Sequence, residues 1–218
     1  MFLGVKLKLT LPPERFFTVS GFLLSLATAA TLPLLVPSVV HSHGLAEGQV
    51  GLLSSIFAVG SVIGLIFLSP LVAEKRNQRK KFSLLWLLLT FSLMGGAYST
   101  SFWQLALTLL IVGATSACLS LIGMDKRTLS VPPELRIRLT AATLVVGQLA
   151  SSASYLVVGA TASRFGYEGL LFMYMAVFLV AMSCACLSKM VWRFLEDAGD
   201  SELYYQNHHP RLMKNMLS

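Results

Sequence analysis

Glu74 sits inside the densest cluster of bases in this 218-residue chain, and an acid so placed can exchange ion-pair partners. The stretch Leu68–Leu84, LSPLVAEKRNQRKKFSL, sets it beside Lys75, with Arg76, Asn77, Arg79, Lys80 and Lys81 following. Partner exchange of this kind suits a gate that changes between two states, whereas a loop that only orients a chain needs positive charge alone. Other chemistries find no residues. Hydrolysis inside a membrane would need a nucleophile with its base, or paired acids, within one apolar run. All ten Asp and Glu lie outside the apolar runs, as do His41, His43, His208 and His209. That leaves no evident proton relay, which normally uses a buried carboxylate or histidine. His41-Ser42-His43 offers two metal ligands without a third, and reads as ordinary loop. No enzyme activity, metal or cofactor is expected.

The elements that must position this loop are membrane helices. Hydrophobic residues make up 55% of the chain and charged ones 12%, half the roughly 25% of a soluble domain, and the mean hydropathy is +0.71. The net charge of +7 comes from short loops between apolar runs, where orientation explains it without nucleic acid. Cys118, Cys184 and Cys186 lie inside apolar runs and read as small hydrophobic residues.

Six spans follow from the charge-free runs, each near the ~20 residues a bilayer needs: 16–40, 49–73, 82–98, 102–123, 139–163 and 169–188. The run 16–40 is too long for a signal h-region and is expected to be retained as a helix, kinked at Pro33 and Pro37. Residues 82–124 carry no charge but are too many for one crossing, and Gly95–Trp103 (GGAYSTSFW) divides them. The loop 124–138 contains Pro132-Pro133-Glu134-Leu135-Arg136, a helix start with Ser130 as a candidate cap, prolines in the first turn and an acid at the positive dipole end. A short loop, Arg164–Glu168, separates the last two spans. Sixteen of the seventeen Lys and Arg fall on one side of this alternation, with Arg164 opposite. The positive-inside rule then places residues 1–15 and the tail 189–218 in the cytoplasm, as an all-α, multi-pass protein of the plasma or inner membrane.

Pro70-x-x-x-Glu74-Lys75-x-Asn77-x-Arg79-Lys80 resembles the signature between the second and third helices of the major facilitator superfamily, with Pro and Asn standing where that pattern has glycines and Glu74 replacing its aspartate. Pro133, Glu134 and Arg136, then Gly159-x-x-x-Ser163-Arg164-Phe165-Gly166, resemble the fourth-to-sixth-helix stretch of a family half. Members have twelve helices, so the chain resembles one six-helix half. The Arg-Phe-Gly ending is closer to second halves, and the arginine usual in the fourth helix of first halves is absent. The resemblance implies two inverted three-helix repeats, with spans 1 and 4 lining a substrate path. Helical spacing then selects Ser25 and Thr28 on span 1, Gln104, Thr108 and Thr115 on span 4, and Gln148, Ser152 and Tyr155 on span 5. Polar groups bonding neighbouring helices would explain each of these as well.

Two functions remain open. One is alternating-access transport of a small solute, probed as a half-transporter paired with a second copy or a complementary six-helix half. The other is a non-transporting remnant or accessory subunit. Side-by-side pairing of two copies would use the small residues Gly60 and Gly64 of span 2 with Gly147, Ser151 and Ser154 of span 5, where close helix approach is sterically allowed.

Overall fold

The computed structural model describes residues 8–29, 36–37, 40, 44, 48–70, 78–99, 101–187, 193–194, 204–208 and 210. Five long helices and one short one lie among them: α1 (Pro12–Thr28), α2 (Gly48–Ile63, continuing as a π-helical turn Gly64–Leu68), α3 (Gln78–Ala97), α4 (Phe102–Leu129), α5 (Pro133–Leu187) and α6 (Tyr204–His208). Gly48–Leu68, Phe102–Leu121 and Pro133–Ala160 are long and apolar enough to cross a membrane.

Local chemistry sets the boundaries. Pro12 and Pro13 open α1 with Glu14 in its first turn, because proline's missing N–H costs nothing where N–H groups have no intrahelical partner anyway. Pro133 and Glu134 repeat the device at the start of α5. The chain breaks after Ala97 as expected, where the Ser99 hydroxyl donates to the Gly96 carbonyl at 2.7 Å. Ser101 then accepts the Gln104 N–H at 3.4 Å as α4 begins.

Two expected loops differ. The segment 124–138 shortens to a turn at 130–132, because α4 continues to Leu129 and α5 starts at Pro133. The loop at Arg164–Glu168, expected between spans 5 and 6, is helical, so α5 runs unbroken for 55 residues. One glycine and no proline occur in those five residues. A lone glycine costs a helix only about 1 kcal/mol, too little to end it when the flanking turns keep their hydrogen bonds. At 1.5 Å per residue a straight 55-residue helix would span about 80 Å. Phe194, however, seven residues past the end of α5, lies against Phe17 at the end of the bundle where α5 begins. Seven residues reach at most about 25 Å, so α5 turns back on itself. Its 55 residues exceed one crossing: Pro133–Ala160 has a membrane-span composition, and residues 169–187 of the same helix are likewise apolar and uncharged.

Side-chain contacts give the helix directions. On α2 and α4, Gly60 lies against Leu110 and Gly64 against Ala114, so the two run parallel. On α3 and α4, Gly96 meets Thr108 while Phe82 and Leu119 share a cleft further along, so these run antiparallel. Phe17 lies near Thr143 and Leu26 near Ser154, so α1 and α5 run parallel. With the tight turn between α4 and α5, these relations make the helices alternate in direction along the chain. They gather the start of α1, the end of α4 and the start of α5 at one end, with Lys8, Arg15, Arg127, Arg136 and Arg138. Tyr98 and Trp103 lie at the other.

The α2–α4 contact is backbone on backbone. A Cβ on Gly60 would come within 2.9 Å of the Leu110 Cα, one on Gly64 within 2.7 Å of the Ala114 Cα, and one on Gly113 within 3.0 Å of the Ser61 N. The Cys118 thiol fills the same seam and donates to the Gly64 carbonyl at 3.0 Å. Gly60 and Gly64 thus do bring a helix close, but the helix is α4 of the same chain. Ser154 is buried likewise and donates to the Leu26 carbonyl of α1 at 2.5 Å. Three of the five residues expected to join two copies are therefore consumed inside one. Gly147 has nothing within 4 Å of a Cβ, and the Ser151 hydroxyl returns to the Gly147 carbonyl at 3.0 Å. Away from the basic end, Leu53, Leu105, Ala106 and Leu109 close a core with Val36 and Val40. Large apolar side chains such as Phe67 (66% exposed) and Leu156 (76%) point outward, as suits a surface solvated by lipid tails.

Candidate functional site

At the basic end a buried polar cluster joins three separate parts of the chain. Glu14, in the first turn of α1, is completely buried, and Arg127, in the last turns of α4, is 8% exposed. The guanidinium grips the carboxylate side-on: Nε donates to Oε1 at 2.9 Å and Nη2 to Oε2 at 2.5 Å. Each charge also sits at the favourable end of its helix dipole, the acid at an N-terminus and the base at a C-terminus. Beneath Arg127 lies the Phe17 ring, with its centroid 5.4 Å away.

The third part is the segment after α5. Tyr205, fully buried, donates its phenol to Glu14 Oε1 at 3.3 Å, and its N–H bonds the Ser130 carbonyl in the α4–α5 turn at 3.2 Å. Phe194 is also fully buried. Its ring meets Phe17 edge-on at 5.5 Å, Tyr204 edge-on at 5.1 Å, and stacks on Tyr205 at 5.5 Å. Rings arranged edge-to-face and offset add to the gain from burial.

Lys8 completes the cluster at 1% exposure. Burial, then the Arg127 charge, push its pKa down to about 8, against the pull of Glu14. Burial works against Arg127 too, but the Glu14 charge and hydrogen bonds reverse it and hold the guanidinium above its usual value. Burial and the adjacent Glu14 charge raise the Tyr205 phenol well above the ordinary tyrosine range. At neutral pH the phenol is therefore a donor.

Behind Arg127 a cleft of about 190 Å³ opens between four helices. Ser20, Gly21 and Ser25 of α1, Phe82 and Trp86 of α3, Leu119 and Ser120 of α4 and Thr143 of α5 line it, with Phe17 and Arg127 as the end wall. Its volume is below the roughly 300–1,000 Å³ of pockets for drug-sized ligands, so on its own it has room for a small ion or a few waters.

Of the residues selected from sequence, Ser25 lines this cleft. Thr108 turns towards α3, with its Oγ1 in reach of Gly96 and bonded to the Leu105 carbonyl at 2.8 Å. Thr115 is fully buried, its hydroxyl spent on the Ile111 carbonyl at 2.7 Å. Neither lines the cleft. Gln104, Gln148, Ser152 and Tyr155 are exposed. Glu134 is exposed, and Arg136 clasps the turn before its helix through Nε to the Val131 carbonyl at 3.0 Å. Lys80 is exposed at the start of α3. Glu74, Lys75 and Asn77 lie outside the described residues, as do the side chains of Thr28 and Arg79.

Glu14, Arg127, Tyr205 and Phe194 escaped the sequence reading. One signal was present: Pro12-Pro13-Glu14-Arg15 echoes Pro132-Pro133-Glu134-Leu135-Arg136, which marks two equivalent helix starts. Nothing local announces a pairing across 113 residues.

A family model described as Major Facilitator Superfamily matches residues 17–203. No curated protein gives a significant match, and neither does any solved structure.

Proposed function

The chain belongs to the Major Facilitator Superfamily, a family of membrane transporters, and we propose that it forms one six-span half of a carrier that moves a small solute by alternating access. The observation that carries this reading is the pairing of helices. If spans 1–3 and 4–6 are inverted repeats, exchanging them maps the α1–α5 contact onto α4–α2. Both are among the most extensive contacts in the bundle, which supports an inverted-repeat construction. The Glu14–Arg127 pair then ties the first helix of one repeat to the first helix of the other at the basic end. That end faces the cytoplasm on this reading, because basic residues are retained there.

A half held together in this way moves as a body, which alternating access requires. The moving surface lies elsewhere, on the faces carrying Gln104, Gln148, Ser152 and Tyr155, against a second six-span unit supplied by another copy or a complementary half in the plasma membrane. Glu74, beside Lys75, Asn77, Arg79 and Lys80, is the proposed gate between states. Uptake or efflux measured in vesicles holding the chain alone, and with candidate six-span partners, tests the proposal. Solute movement is expected, and Glu74→Gln should slow it at equal expression. A chain that moves no solute under either condition supports a non-transporting accessory role instead.

A further inference from the structure

We propose that the four-helix cleft is a binding site for a short-chain monocarboxylate, with Arg127 receiving the carboxylate and the aromatic and aliphatic wall receiving the carbon chain. The site lies inside the described bundle and stands whether or not the chain moves its ligand across a membrane.

Arg127 supplies an unspent donor. Its Nε and Nη2 go to Glu14, while its Nη1 has no hydrogen-bond partner among the described residues, although the side chain lines the cleft. A charged donor left without an acceptor away from water is costly, so an anion at this wall is favoured. The local charges point the same way. Lys8, Glu14 and Arg127 are the buried charges among the described residues, two positive against one negative. With its pKa near 8, Lys8 keeps its proton at neutral pH, and one further negative charge balances the set.

Gly21 shows that the space is left open for something other than packing. Gly60, Gly64 and Gly113 are small because α2 and α4 meet there, but a Cβ on Gly21 would have nothing within 4 Å. A glycine inside α1 costs about 1 kcal/mol relative to alanine and relieves no contact. What the missing side chain leaves free is the cleft, whose wall Gly21 forms.

The rest of the lining selects a carboxylate over an inorganic anion. Phe82, Trp86 and Leu119 present apolar surface beside the hydroxyls of Ser25 and Ser120, which have no partner among the described residues. The Ser20 and Thr143 hydroxyls, by contrast, donate to the Phe17 and Leu139 carbonyls at 3.4 and 2.9 Å. One ionised head with an apolar body matches one donor wall flanked by such surface. A cavity of about 150 Å³ admits benzene, so about 190 Å³ admits a carboxylate of about four carbons.

Fluorescence titration of the purified chain in detergent tests this, with Trp103→Phe and Trp192→Phe leaving Trp86 as the reporter in the cleft. Sodium butyrate replaces sodium chloride at constant ionic strength, and butyramide serves as the uncharged control. A saturable change with butyrate alone is expected. The paired variant Glu14→Gln, Arg127→Met removes the guanidinium without leaving the carboxylate unpaired, and should weaken binding about tenfold or more. Gly21→Leu fills the cleft, and should abolish binding without lowering the melting temperature. If the paired variant fails to fold, Gly21→Leu decides alone. No saturable response to butyrate, an equal response to butyramide, or undiminished affinity in either folded variant would overturn the site.

Discussion

Replacing Glu14 by glutamine should leave the Arg127 guanidinium buried without a counter-charge, with Lys8 adding repulsion. Arg127 makes a two-pronged contact to a fully buried carboxylate, and its own exposure is 8%. Removing one member of such a pair costs about 3–5 kcal/mol. Glutamine can still accept one guanidinium N–H, so the lower end, about 3 kcal/mol, is expected, or roughly two orders of magnitude in the unfolding equilibrium. Arg127→Met leaves Glu14 with Lys8 and Tyr205 as its remaining partners and should cost a similar amount. The double variant Glu14→Gln, Arg127→Met has no uncompensated charge at the site apart from Lys8. Buried pairs replaced together by uncharged groups are often near neutral, so it should recover most of the loss.

The assay is denaturant unfolding of the purified chain in detergent, followed by tryptophan fluorescence, with all four proteins compared as a double-mutant cycle. A coupling energy of about 2 kcal/mol or more between Glu14 and Arg127 is expected. Additive losses, with the double variant as unstable as the two singles summed, would refute the account of these helices as joined by a mutually dependent pair.

The α2–α4 seam should reject any side chain at Gly60 or Gly64: Gly64→Leu meets backbone that cannot rotate away and should abolish a folded, monodisperse chain by size-exclusion chromatography, whereas Gly147→Ala, with open space around it, should be neutral or gain up to about 1 kcal/mol. Stability should rise as pH increases from about 8 towards 10, because buried Lys8 releases its proton near 8 while an unfolded lysine keeps it to about 10.4. Tyr205, held protonated above its ordinary range, reverses that trend above about 10, where the unfolded phenol ionises first. Thermal melts of Lys8→Met should show the rise between 8 and 10 flattened. Reporters fused after Ser42 and Ser101 should read outside and one after Gln78 inside; a cytoplasmic signal at Ser42 would overturn the direction assigned to α1 and α2.

How far the sequence could be read depended on whether a signal was local. The helix start at Pro133 and the break at Gly95–Trp103 were legible, because proline, glycine and serine act within one turn of the chain; α1, expected from Phe16, instead opens at Pro12. The close approach at Gly60 and Gly64 was legible as a property and not as a pairing: two small residues four apart make a groove, but only the fold decides which helix fills it. The opposite failure occurred at Arg164–Glu168, where two charges and a glycine suggested a loop although no residue there forbids a helix. At the site the limit is physical. Counting charges by their distance from apolar runs placed Glu14 outside every span, and that is where it lies along the chain. Burial, however, is a property of the folded end. A carboxylate just beyond a span becomes a core residue once α4 brings Arg127 beside it and the segment after α5 lays Tyr205 over both. The mixed-sign ends of a membrane chain, which read as solvated by default, are therefore where long-range ion pairs should be sought first. Their partners lie far along the chain but at the same end of the bundle, as Arg127 does, 113 residues on from Glu14.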